Sequence, residues 1–171
     1  LYQMPFLAHA TMEPVSCTVH VRKNGCDVWV GSQVLARAQA TVADVTGLPK
    51  EKIYMHNQLL GGGFGRRLEV DFITQAAQIA KQVDGPVKVV WTREEDIQHD
   101  LYRLGGAAEP PPPDALPNML VEYVRQEPPG IPTGFWRGVG PTHNVFVVES
   151  FIDELAAAAK QDPVEYRRGL L

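Results

Sequence analysis

Polar and apolar positions alternate from Ser16 to Arg22 (Ser-Cys-Thr-Val-His-Val-Arg), which is the period of a half-buried strand. Asn24-Gly25 follows as a turn and Asp27 to Val30 returns as a second strand, so this stretch predicts a hairpin. The period then lengthens. Leu35, Ala38, Val42 and Val45 share one helical face, with Ser32 placed to cap the helix and Gly47 and Pro49 to end it. Ile53 to His56 reads as a short strand, and the loop from Leu60 to Arg67 opens onto a second amphipathic helix with Val70, Ile73, Ala77, Ala80 and Val83 on one stripe. Asp84-Gly85-Pro86 stops that helix, Val87 to Trp91 reads as a buried strand, and Arg93-Glu94-Glu95-Asp96 as a solvated charged stretch.

The pattern breaks between Gly105 and Pro117, where glycine, alanine and the run Pro110 to Pro113 have the composition of a connector. Beyond it, Met119 to Arg125 alternates as a strand and Glu127-Pro128-Pro129-Gly130 forms a turn. A helix runs from Asn144 to Ala159 after the breaker Gly138-Val139-Gly140-Pro141. Asp162 and Pro163 cap and start a short last helix. The chain thus divides into a lobe at 1–103, a shortened Gly/Pro-rich connector at 104–117, and a strand with helices at 118–171. The expected fold class is α+β with an α/β flavour, a mixed sheet packed with helices.

Composition narrows the function classes. With 171 residues, 44% apolar and 21% charged, the chain has the balance of a globular protein. A net charge of -4 offers no basic field for nucleic acid, and no apolar run reaches the length of a membrane span. No targeting segment is recognisable, which leaves localisation open. Cys17 and Cys26 are two free thiols or one disulfide; nothing else suggests a disulfide scaffold, which favours free, structural cysteines. His9 and Glu13 have the spacing of a helical metal pair, but Pro14 follows and no third ligand accompanies them.

The loop carries the strongest chemical signal. Gly61, Gly62, Gly63 and Gly65 place four glycines in five positions between a strand and a helix. Glycine there weakens the fold by roughly 0.5–1 kcal/mol relative to alanine, and what it provides is close backbone approach and access to positive φ. At a helix N-terminus, bare amides attract an anion, and Arg66 and Arg67 would add full charges beside them. A tight structural turn is the other reading. Dinucleotide and P-loop signatures do not fit, because Arg66 stands at the third glycine and no Gly-Lys-Ser/Thr follows.

Gly61-Gly62-Gly63-Phe64-Gly65-Arg66-Arg67 resembles the pterin-site loop of the molybdenum hydroxylases of the xanthine dehydrogenase/aldehyde oxidase family, and its doubled arginine is similar to the isoquinoline 1-oxidoreductase β-subunit branch. Three further segments resemble that family's motifs in the same order. They are His9-Ala10-Thr11-Met12-Glu13-Pro14, Val30-Gly31-Ser32-Gln33, and Phe135-Trp136-Arg137-Gly138-Val139-Gly140-Pro141; the tail from Glu149 to Arg168 agrees as well. The resemblance implies a fragment of the large subunit's molybdopterin-binding domain. It implies that Gln33 donates to an oxygen on molybdenum, that Gly62, Gly63, Phe64, Gly65 and Arg66 line the cofactor, and that Arg137 stabilises negative charge developing on the substrate.

The same resemblance implies hydroxylation of an N-heterocycle or aldehyde, with iron–sulfur clusters on a partner subunit. The family's base, a glutamate in a Gly-x-Gly-Glu motif, does not occur in these 171 residues, so the chain is expected to be inactive alone. Between Arg103 and Glu109 a longer excursion of the family is cut short. The expected partners are the iron–sulfur subunit or the remaining half of the domain, with self-association through uncovered apolar surface. The alternative is a non-catalytic folded remnant that binds an anion or a protein.

Overall fold

The computed structural model describes residues 6–103 and 129–170. The predicted strand at 119–125 and the connector at 104–117 lie outside them. The described chain forms two compact units, one built from 6–103 with 132–136 and the other from 129–131 with 137–170.

The first unit is a four-stranded mixed sheet with two helices on one face. β1 (Ser16–Arg22) and β2 (Gly25–Val30) form the expected antiparallel hairpin, with Arg22 opposite Gly25, so its two-residue turn is Lys23-Asn24 and Gly25 already belongs to β2. α1 (Leu35–Thr46) carries the chain over to β3 (Ile53–Asn57), which pairs parallel to β2. After the glycine loop, α2 (Asp71–Ala80) crosses to β4 (Val87–Val90), antiparallel to β1, giving the order β3-β2-β1-β4.

The inward residues of β1 and β2, namely Cys17, Val19, Cys26, Val28 and Val30, meet Ala38, Val42, Phe72, Ile73, Ala76 and Ala77 from the helices in one core. Both cysteines in it are free, and burial pushes the thiols up to about 12 for Cys17 and about 11 for Cys26, which keeps them protonated.

Several expectations change in detail. Ser32 is not the cap of α1: the capping position is Val34, and the Ser32 hydroxyl accepts from the Val34 amide while donating to the Arg67 carbonyl. Gly47 ends α1 as expected, in the left-handed region at φ 75°. β4 is an edge strand with alternating burial, not a buried one, and Val83 lies past the end of α2, 47% exposed. The charged stretch after it is α3 (Arg93–Gln98), capped by Thr92, and it is not fully solvated. Asp96 is buried, accepting from the Val15 amide and from Arg93.

β5 (Tyr102–Arg103) pairs parallel with β6 (Thr133–Gly134), which attaches the 132–136 segment to this unit. The second unit holds α4 (Val139–Ala158) and α5 (Pro163–Arg168). α4 begins earlier than the pattern suggests, running through Gly140 and Pro141 instead of being broken by them. Gly138 precedes it at φ 78°, and a proline in the first turn forfeits no intrahelical bond because that amide has no partner there. Asp162 caps α5 as expected, accepting from the amides of Val164 and Glu165. No helix among the described residues is long and apolar enough to cross a membrane.

Candidate functional site

Four segments far apart in sequence come together here, the glycine loop itself being the third, all within the first unit. Glu13 grips the loop at its start. The Glu13 amide donates to the Gly61 carbonyl at 3.0 Å, and the Gly61 amide donates back to Glu13 Oε2 at 2.8 Å. The approach is so close that a Cβ on Gly61 would stand 2.2 Å from the Glu13 Cβ. Gln33 grips it further along, with Oε1 accepting from the Gly65 amide at 3.3 Å. A Cβ on Gly63 would fall 2.4 Å from that same oxygen. Only glycine builds this cradle.

The fourth segment is Phe135–Trp136. A Cβ on Gly65, whose φ is 106°, would stand 2.1 Å from the Phe135 carbonyl oxygen. This position excludes a side chain twice over, by backbone conformation and by space.

Arg66 and Arg67 turn inward, contrary to the expectation of charges facing an anion. Between loop and helix comes a short 3-10 turn, Arg66–Leu68, so the loop does not stand at the N-terminus of α2. Arg67 is fully buried and spreads its guanidinium over three motifs. Nε donates to the Gly62 carbonyl (2.8 Å), Nη1 to the Gly31 carbonyl (3.3 Å), and Nη2 to the carbonyl and carboxylate of Glu13 (3.0 and 2.9 Å). Burial lowers its pKa from the usual arginine value and Glu13 opposes that shift. Arg66 is 1% exposed and makes a bidentate pair with Asp71 at 2.8 and 2.7 Å, between the rings of Phe72 and Trp91. Its Nε lies 3.2 Å from Asp100 Oδ1, outside hydrogen-bond alignment. Burial, the largest single influence, works against its charge, but its bonds to Asp71 together with the charges of Asp71, Asp100 and Asp96 outweigh it and the net shift is upward.

What stays on the open side is different chemistry. Gln33 is exposed, and with Oε1 committed to Gly65 its Nε2 has no acceptor among the described residues. The amides of Gly62 and Gly63 likewise have none among the described residues. Phe64 is 42% exposed and sits at φ 54°, rare for a side-chain-bearing residue. Together, Gly62, Phe64 and Gly65 at positive φ bend the backbone into a concave turn of the kind that gathers amides around an anion. Arg137 is exposed and belongs to the second unit, where its carbonyl accepts from Thr142.

Sequence reasoning missed the residues that hold this arrangement from behind. Asp71 was within reach, as a carboxylate five positions after Arg66 at a helix start. Asp100 gave no local signal, because its partner His9 lies 91 positions away. His9 and Glu13, the pair with metal-ligand spacing, are both occupied elsewhere: His9 by Asp100 and the Phe135 carbonyl, Glu13 by Gly61 and Arg67.

Comparison with known proteins agrees with this architecture. The chain is 26% identical over 211 residues to the isoquinoline 1-oxidoreductase subunit beta of Brevundimonas diminuta, covering 96% of this chain and 27% of the relative. It is 25% identical over 221 residues to the membrane-bound aldehyde dehydrogenase [pyrroloquinoline-quinone] of Gluconacetobacter polyoxogenes, covering 99% of this chain and 29% of that one. The crystal structure of quinoline 2-oxidoreductase from Pseudomonas putida 86 superposes with a TM-score of 0.72 at 16% identity, over 96% of this chain and 27% of that chain, a likeness of fold. The chain thus spans less than a third of the length of these relatives. A family model described as the molybdopterin cofactor-binding domain matches residues 1–105, the stretch that holds three of the four converging segments, and the chain belongs to that family.

Proposed function

We propose that the glycine loop and Gln33 form one wall of a molybdopterin site in a hydroxylase of N-heterocycles or aldehydes. The observation that carries this reading is the division of labour at Gln33: one end of its amide is spent on Gly65, and the other is offered outward beside the amides of Gly62 and Gly63. Those donors suit the phosphate and oxygen acceptors of molybdopterin, and Gln33 can reach its place beside the loop because Gly63 carries no Cβ. When bound, the cofactor supplies a molybdenum centre that accepts the electron pair as a substrate carbon is hydroxylated with oxygen from water.

The chain's own residues do the holding. Gly62 and Gly63 would donate to the cofactor from the backbone, Gln33 would donate to one of its oxygens through Nε2, and Phe64 would lie beside it on the loop. Arg66 supports the loop from within through Asp71 instead of touching the cofactor. Arg137 keeps the role its motif implies, meeting negative charge that develops on the substrate. The base comes from outside this sequence, so the isolated chain holds cofactor without turning over substrate. Met12 and Leu59, 90% and 97% exposed beside the Glu13–Gly61 grip, suit cover by the rest of a longer subunit, by an iron–sulfur partner, or by a second copy.

The test is loading of the 171-residue chain with molybdopterin, read by pterin fluorescence after oxidative release and by molybdenum mass spectrometry. One equivalent is expected, with Gly63→Ala and Gln33→Ala each weakening retention by about tenfold or more. A folded chain that takes up no pterin supports the non-catalytic remnant instead. Saturable uptake of pyrroloquinoline quinone alone would reassign the cofactor.

A further inference from the structure

His9 takes no part in the proposed cofactor contacts, yet it is 8% exposed and every polar atom of its ring is engaged. Nδ1 lies 2.9 and 3.1 Å from the two carboxylate oxygens of Asp100, and Nε2 lies 2.6 Å from the carbonyl oxygen of Phe135. A backbone carbonyl only accepts, and so does an ionised carboxylate. Both contacts are hydrogen bonds only when each ring nitrogen carries a proton.

The surrounding charges agree with that state. Arg66 stands between Asp71 and Asp100, so one carboxylate of the three-membered chain is unmatched unless His9 is cationic. Arg93 and Asp96 on α3 pair with each other and leave the balance unchanged. The Trp136 ring stacks on the imidazole at 4.5 Å, a placement that suits a cation over an indole. The His9 amide donates to Asp100 as well, which fixes the ring's base.

Among the described residues, the ring holds a segment that few other contacts secure. β6 has two residues, and its pairing with β5 covers only Tyr102 with Thr133 and Arg103 with Gly134. The Phe135 carbonyl is pressed against Gly65 on one side and held by His9 Nε2 on the other. We propose that His9, doubly protonated and anchored by Asp100, is a positioning residue that seats Phe135–Trp136 against the glycine loop and so completes the cradle. This rests on the molybdopterin reading for its consequence, but the seating itself is measurable without cofactor.

Two conservative variants separate the ring's two bonds. In His9→Asn the side-chain amide reaches the place of Nδ1 and keeps Asp100; in His9→Gln it reaches the place of Nε2 and keeps Phe135. Tryptic cleavage after Arg137, the exposed arginine directly beyond the seated segment, reports release. His9→Asn is expected to speed that cleavage about ten- to a hundredfold, the factor a charge-assisted hydrogen bond contributes, and His9→Gln to restore most of the wild-type rate. Equal rates for the two variants would overturn the proposal. Nitrogen-15 NMR of the wild-type ring decides the matter if either variant fails to fold. Two slowly exchanging ring N–H protons on His9 are expected; a single one refutes the doubly protonated ring, and the absence of a protected Nε2–H refutes the seating. In the loaded chain, His9→Asn is expected to lose cofactor faster than His9→Gln. Intact seating with no pterin uptake would count against the function and leave the positioning role standing.

Discussion

Arg67 and Arg167 make the same number of bonds in opposite surroundings. Arg67 donates to three carbonyls and a carboxylate with its side chain fully buried. Arg167 donates to Glu149 and Asp153, and to the carbonyls of Pro163 and Glu149, from a side chain 30% exposed against partners more than half exposed. The partners of Arg67 come from segments up to 54 positions away, whereas those of Arg167 lie on α4 and α5, at most 18 away. Water stands ready to replace each partner of Arg167 and none of those of Arg67. A bond count therefore says little about stability until the alternative partner is named.

Four measurements break or sharpen that contrast. The largest effect belongs to Arg67→Met, which keeps the volume but strips the donors from Glu13, Gly31 and Gly62. It is expected to cost about 3–5 kcal/mol in urea unfolding, the range for breaking a buried charge pair, and a cost below about 1 kcal/mol would erase the distinction. Next comes a pair of glycines. Gly65→Ala meets both a left-handed backbone and the Phe135 carbonyl, and is expected to cost about 2–4 kcal/mol. Gly47→Ala has the same handedness with open space around it and is expected to cost about 1–2 kcal/mol. Equal losses would mean that the contact with Phe135 contributes nothing.

Smaller still is the acid response of Asp27 on the sheet's outer face. The hydrogen bond from His56, chiefly, with help from Arg22, holds its carboxyl below the usual aspartate value. A depressed folded value stabilises above the unfolded value of 3.8 and is lost as pH falls through the folded one. Asp27→Asn should thus lower the thermal midpoint slightly near neutrality, with the gap to wild type closing below pH 3.8. A gap that persists in acid would locate the effect elsewhere. Arg167→Ala is expected to shift the midpoint by no more than replicate scatter. A clear loss there would show that the exposed network is organised in a way the contrast denies.

The sheet was readable because its signals are local. Alternation at Ser16–Arg22 needs no knowledge of a partner strand, and the Gly47 stop is written at its own position. The glycine loop was readable as a place of close approach for the same reason. The direction in which Arg66 and Arg67 point was not, since it depends on Asp71, Glu13 and Asp100 competing with solvent for two guanidinium groups. Asp96 misled for a related reason: four charged residues in a row look solvated, and only the fold brings the Val15 amide to the fourth. Nothing near Phe135 announced that its carbonyl would rest on Gly65.

The contact between His9 and Phe135 joins positions 126 apart. A ribosome delivers the chain from its N-terminal end, and a segment can pair only with what has already emerged. By the time Val90 is out, the four strands of the sheet are all available, and that part can settle while synthesis continues. The cradle must wait for Trp136. Nascent chains halted before it should carry a folded sheet and an unfinished loop, so the sheet can form before the cradle that it supports is complete.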